Sequence, residues 1–294
     1  MLTKLMKYDW LSVCRVEGIL AAIMGIYGLI VAVMIQTPMY SGFVTGHESS
    51  DSVEAFAFVS GGFGIFALGL LIVSVNLASI IYLAVRFYHS MYDDEGYLTH
   101  TLPATTMERL GSKIIVGYLW YMIIMLAIAA SLGFIFISAV IVGYRAGYTF
   151  KQVLDTVYGW IPYLPEYLKE NKGTIVHISM YGVFSAILSP FITIAHIYGA
   201  LTIGQLFKKN RGLMGIVFYF IISWGTNIIM TIITGLISAF SAKRIYSLNK
   251  GLGSEFVNSG FFVRYDLKLI VTLAVAIALV FVSKYIIDEK LNLL

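Results

Sequence analysis

Six times between Gly18 and Ile287 the chain runs 19 to 29 residues on apolar side chains, and the only charged residues in these runs are Lys268 and Lys284, near the ends of the last. About 20 apolar residues cross the hydrocarbon core of a bilayer as a helix. Composition agrees: 59% of the 294 residues are hydrophobic and 12% charged, against roughly half and roughly a quarter in water-soluble domains. The reading is an all-α polytopic integral membrane protein, one transmembrane domain over residues 1–294 with no soluble domain attached.

The spans are placed at about 18–36, 57–85, 114–142, 175–203, 213–240 and 267–287. Met1 to Arg15 mixes Leu2, Leu5, Trp10 and Leu11 with Lys4, Lys7, Asp9 and Arg15, which suits a short interfacial helix entering the first span from the side. Pro38, Gly42 and Gly46 open a polar loop. Tyr144 to Lys172 is a long aqueous segment with an interfacial helix around Lys151 to Trp160, ended by Pro162 and Pro165. Lys208, Lys209 and Arg211 make a short basic turn, and Lys243 to Asp266 a Gly-rich polar loop. Six spans leave both termini on one side. Placing them in the cytoplasm puts 11 Lys and Arg inside and 9 outside; the triply basic turn, the shortest loop, favours that choice.

Several function classes fall away. The net charge of +4 is spread over the ends of the runs, so nucleic acid is not an indicated partner. One cysteine, Cys14, excludes an internal disulfide or a cysteine-held metal, and no metal site is expected. Met39, Tyr40 and Phe43 do not make a small-residue cleavage site after the first run, so that run is read as a retained span. No Asp, Glu, Lys or Arg stands near a span centre, whereas ion-coupled carriers need an ionisable group there. No HExxH motif, nucleophile with its base, or GxxxxGK[ST] loop occurs, so no catalytic residue is assigned and an ATP-driven role requires a separate subunit. Ala200 with Gly204, and Gly61, Gly62, Gly64 and Gly69, allow close helix approach, within one chain or between subunits.

The most informative segment is the loop at 86–113. It holds Arg86, His89, Asp93, Asp94, Glu95, His100, Glu108, Arg109 and Lys113 and belongs outside the bilayer. Asp93 or Asp94 can cap a short helix with Glu95 in its first turn, and Pro103 stops it. Thr105 with Glu108 is a capping box opening the next helix. A short helix held across the ends of two long ones suits docking to a moving partner; an ordinary solvated hairpin fits the same spacing.

The interfacial N-terminal helix, six spans and the acidic run DEGYLTHTLP from Asp94 to Pro103 resemble the permease subunits of bacterial ABC-2 type ATP-binding cassette transporters. The topology covers essentially the whole chain, the specific motif about 20 residues. The resemblance implies that Asp93, Asp94, Glu95, Gly96, Tyr97, Leu98, Thr99, His100, Thr101, Leu102 and Pro103 form a coupling helix seated in a separate ATPase. Two permeases, identical or different, and two ATPases would make the working unit in the cell membrane. ATP and Mg would bind in the partner ATPase, with no cofactor in this chain, and the export cargo would be an antimicrobial peptide, a drug, a lipid or a polysaccharide. Such permeases commonly carry re-entrant helices between spans five and six, for which Glu255 to Phe262 is the candidate; the segment Tyr144 to Lys172 is longer than the resemblance leads one to expect.

An ion-coupled carrier and a non-transporting sensor or scaffold are the rival readings. Asn76, Tyr82, Trp120, His196, Trp224 and Asn227 are candidates for a substrate pathway because they are polar or amphipathic within spans, although packing is the commoner role for each.

Overall fold

A computed structural model describes residues 2–37, 51–93, 103–145, 172–207, 209–248 and 253–290, with single positions at 96, 147, 149 and 152. Six long helices account for nearly all of it: α1 (Leu2–Ile35), α2 (Asp51–Tyr92), α3 (Thr106–Arg145), α4 (Lys172–Gly204), α5 (Arg211–Leu248) and α6 (Gly253–Glu289). No strand occurs among the described residues. Each helix contains a stretch long and apolar enough to cross a membrane, namely Leu2–Ile35, Phe66–Tyr92, Thr106–Arg145, Ser179–Gly204, Arg211–Leu236 and Asp266–Glu289.

The helices run past the apolar runs at most ends. With 42 residues and a rise of ~1.5 Å each, α2 is about 63 Å long, twice the hydrocarbon thickness. A helix satisfies its own backbone whatever its side chains are, so it stops at a breaker rather than where polarity rises. Two expectations change for this reason. Leu2 to Arg15 do not form a separate helix but the beginning of α1, because no proline or loop-forming cluster interrupts Leu2 to Glu17. Within the segment Lys243 to Asp266, expected to be a loop, residues 243–248 and 253–266 are helical and 249–252 lie outside the described residues; Glu255 to Phe262 is continuous α6 rather than re-entrant. The expected interfacial helix around Lys151 to Trp160, Gln152 apart, lies outside the described residues, as do Pro162 and Pro165.

The chain divides into two compact units, the first formed by Met1–Asp9, Leu83–Tyr118 and Met180–Leu294, the second by Trp10–Tyr82 and Leu119–Ser179.

The second unit packs α1, α2 and α3 around Met24, Val75 and Ile124, flanked by Leu20, Ala21, Leu71, Ile72, Ala127 and Ile128. A Cβ at Gly28 would lie 2.6 Å from Ser131 Cα, so only glycine admits so close a crossing of α1 and α3. Ser131 Oγ donates to the Met24 carbonyl at 2.8 Å, and Ser138 Oγ to that of Ala32. Small polar residues thus join helices in surroundings where water offers no alternative partner. Tyr27 and Tyr82 add bonds from their hydroxyls to the carbonyls of Gly64 and Ser12, at 3.3 and 3.1 Å.

In the first unit the buried stretch of α4 is central. Ile194, Tyr198, Ala200, Leu201 and Thr202 are all buried. Gly199 lies against α6, where an added Cβ would meet Leu279 Cβ at 2.8 Å. α4 and α5 form a hairpin whose last loop residue, Asn210, adopts φ 55°, a left-handed geometry that Asn tolerates. Its carbonyl accepts the Met214 N–H at 3.0 Å. A Cβ at Gly204 would stand 2.5 Å from the Gly215 nitrogen. The Ala200 and Gly204 pair therefore serves packing inside the chain.

Large apolar side chains cover the outside: Leu70, Val73, Leu77 and Ile81 along α2, and Ile216, Phe220, Ile221, Ile228 and Ile232 along α5, are all exposed. Exposure on this scale has its solvent in lipid.

Candidate coupling site between the second and third helices

The loop between α2 and α3 begins where α2 ends, and the last two turns of α2 are fastened to α4. Phe87 is 2% exposed. Its ring stacks on Tyr198 at 3.9 Å with planes 6° apart and meets the edge of Tyr92 at 5.8 Å. The hydroxyls of Tyr92 and Thr202 share a hydrogen bond of 2.7 Å, while Thr202 Oγ also donates to the Tyr198 carbonyl. Met91 is fully buried. Offset-stacked and edge-to-face aromatic pairs add ~0.5–1.5 kcal/mol beyond burial, so this end of α2 is firmly held.

The chain then turns. Asp93 is exposed; its Oδ2 lies 2.5 Å from His89 Nδ1 one turn back, and its carbonyl accepts the Gly96 N–H at 2.7 Å. Gly96 is buried, and a Cβ there would come within 2.6 Å of the Met91 carbonyl oxygen. The turn therefore requires glycine at 96 by close approach. Asp94, Glu95, Tyr97, Leu98, Thr99, His100, Thr101 and Leu102 lie outside the described residues, and Pro103 is an exposed bend.

On the far side the capping box forms as the spacing predicts. Glu108 Oε2 accepts from the Thr105 N–H at 3.0 Å and from its hydroxyl at 3.2 Å; Thr105 Oγ accepts the Glu108 N–H at 3.3 Å. The Arg109 N–H to Thr105 carbonyl bond, 3.1 Å, starts α3. One turn on, Lys113 Nζ pairs with Asp9 Oδ1 of α1 at 3.0 Å, and Ser112 Oγ donates to Asp9 Oδ2 at 2.7 Å. Lys113 is only 9% exposed, so this ion pair clamps α1 to α3 where solvent screens little. A force delivered to the loop would meet fixed points on both sides.

The six pathway candidates have ordinary packing partners with one exception. In the second unit Asn76 Oδ1 accepts from the Tyr121 hydroxyl at 3.4 Å, Tyr82 bonds Ser12, and Trp120 packs on Trp10 at 4.6 Å, its buried Nε1 left without a partner. In the first unit His196 Nδ1 bonds the Ile192 carbonyl of its own helix at 2.7 Å. Trp224 is 69% exposed and Asn227 is exposed, bonded to Ser223 one turn back. Buried His196 and outward Trp224 and Asn227 do not line one site. No group of three or more His, Cys, Asp or Glu able to hold a metal ion occurs among the described residues.

The sequence places Asp9 only in an expected interfacial helix and gives Glu17 no role. Glu17 stands immediately before the first apolar run, yet the buried positions of α1 are Val13, Glu17, Met24, Gly28 and Ala32. Their steps of four and seven define one helical stripe, which the uniformly apolar sequence from Gly18 to Ile35 does not reveal.

These features define a multi-pass, all-helical membrane protein. The chain matches no family model, no curated protein and no solved structure.

Proposed function

We propose that this chain is the permease subunit of an ATP-driven exporter of the ABC-2 type, moved by a separate ATPase that docks on the connection between α2 and α3. The observation that carries the reading is how the helix ends flanking that connection are fixed. Its entry is locked by Phe87 on Tyr198 and Tyr92 on Thr202, its exit by the Thr105 and Glu108 box and the Asp9 to Lys113 pair. A docking element must pass displacement to the membrane helices without being absorbed by a slack base. Six apolar helices and the acidic DEGYLTHTLP run support the same reading.

In this scheme ATP and Mg bind in the ATPase, two ATPases act on two permeases, identical or different, and the chain contributes alternating conformations rather than chemistry of its own. The cargo is amphipathic or apolar, such as an antimicrobial peptide, drug or lipid. Both termini face the cytoplasm of a bacterial cell, a placement supported by the basic turn around Lys209 and Arg211.

The experiment is purification of the tagged chain from native membranes, as found and with Asp94 and Glu95 both reversed to lysine. Co-purification of an ATPase bearing a GxxxxGK[ST] loop, lost in the variant, is the expected result. Absence of any ATPase from both samples would move the assignment to an ion-coupled carrier or a scaffold.

A further inference from the structure

An acid lies inside the three-helix packing of the second unit, where the sequence reading placed none. Glu17 of α1 is completely enclosed. The hydroxyl of Ser79 on α2, itself fully buried, donates to Glu17 Oε2 at 2.8 Å. The other oxygen, Oε1, is buried and has no hydrogen-bond partner.

Among the described residues no counter-charge pairs with this carboxyl. On α1 the charged residue nearest in sequence is Arg15, which is exposed and, two positions away, does not share its face. Between Val75 and Leu83, α2 offers only Asn76, Ser79 and Tyr82 as polar groups near this level, with no Lys, Arg, His, Asp or Glu. Asn76 is engaged by Tyr121, and Tyr82 by the Ser12 carbonyl. From Leu119 to Ile128, α3 brings Trp120 and Tyr121 and no charge. A bare carboxylate among these groups would be a buried charge with a single donor, an arrangement far costlier than its neutral acid. A proton on Oε1 removes the charge and leaves the Ser79 bond intact.

We infer that Glu17, with Ser79 as its hydrogen-bond donor, is a proton-binding site within the membrane helices, loaded while α1 and α2 are packed together and emptied when they part. On release the acid O–H bond breaks, its electron pair stays on Oε1, and water entering between the helices takes the proton. Helix separation in this unit is thereby linked to pH, whatever drives it. The site stands on the enclosed acid and its two differently partnered oxygens, so it holds or fails independently of the ATPase.

The test is infrared difference spectroscopy of the full chain in lipid nanodiscs, titrated from acid to alkaline pH. The expected result is a carboxylic-acid C=O band that survives at neutral pH, shifts in heavy water, disappears in Glu17→Gln and moves to higher frequency in Ser79→Ala, which removes the donor to the carbonyl oxygen. Spectra of wild type and Glu17→Gln that coincide in this region at neutral pH would overturn the site. Ser79→Ala keeps Glu17 in place, so an unmoved band in that variant does the same should Glu17→Gln fail to fold. Cys14, the chain's one cysteine, sits three residues before Glu17 and is half-buried, so a gain in its exposure reports opening. Its rate of modification by a thiol reagent, divided by the rate in Glu17→Gln to cancel the reaction's own pH dependence, rises severalfold from neutral to alkaline pH; a ratio flat with pH overturns the link to helix separation.

Discussion

Phe87 and Tyr198 lie face to face, their ring centroids 3.9 Å apart and their planes within 6°, and this contact fastens the end of α2 to α4 just before the loop. Phe87→Ala removes a nearly fully buried ring and is expected to destabilise the chain by about 3–5 kcal/mol. Phe87→Leu, which refills most of the volume, should lose about half of that. Thermal unfolding in one fixed detergent ranks the three proteins, and equal midpoints for wild type and Phe87→Ala would remove the stack from the account of the loop's rigidity.

The capping box predicts a coupled loss. Thr105→Ala deprives the Glu108 N–H of its acceptor and should lower stability by about 1 kcal/mol, the usual cost of deleting a threonine cap, while Thr105→Ser keeps the oxygen and most of the stability. Glu108→Ala also destabilises. Because the two side chains complete one reciprocal motif, the double variant should lose less than the sum of the single losses. A double-mutant cycle on unfolding midpoints measures this; strict additivity would mean the bonds do not act together.

Two glycines in α5 should respond in opposite ways to the same change. A Cβ at Gly215 would meet Leu201 Cδ2 at 2.8 Å and Leu201 Cα at 3.0 Å, whereas one at Gly225 meets nothing within 4 Å. Gly215→Ala is therefore expected to force α4 and α5 apart at a cost of ~1–3 kcal/mol. Gly225→Ala should be neutral or stabilising by up to ~1 kcal/mol through the lower backbone entropy of alanine. Unfolding midpoints of the two variants decide the matter, and equal effects would refute the close crossing.

Asp9 and Lys113 bond across α1 and α3 with Lys113 little exposed. Lys113→Met leaves Asp9 with Ser112 as its donor and should cost about 1.5–3 kcal/mol, the range for a lost hydrogen bond to a charged group. Exchanging the two residues, Asp9→Lys with Lys113→Asp, should recover part of the loss. If the exchange is no better than the worse single variant, the pair's geometry rather than its charge is what matters.

Six membrane-crossing helices were legible in the sequence, because about 20 apolar side chains in a row have no other economical solvent than lipid. So was the start of α3, since Thr105 and Glu108 need only three residues of spacing to find each other. Helix ends were less legible. The continuity of α1 through Arg15 and of α6 through Glu255 to Phe262 follows from backbone bonds that no side-chain pattern reports.

What only the tertiary structure decided is which polar groups of those helices meet one another. Asn227 and Asn76 look alike in sequence, yet Asn227 stands exposed on α5 while Asn76 takes a hydrogen bond from Tyr121. Glu17, one residue before an apolar run, reads as an interfacial acid until Ser79, 62 positions away, is found against it. A linear pattern reveals the face a residue shares along its own helix, but the partner that satisfies or charges it comes from another helix, and that choice is made by packing.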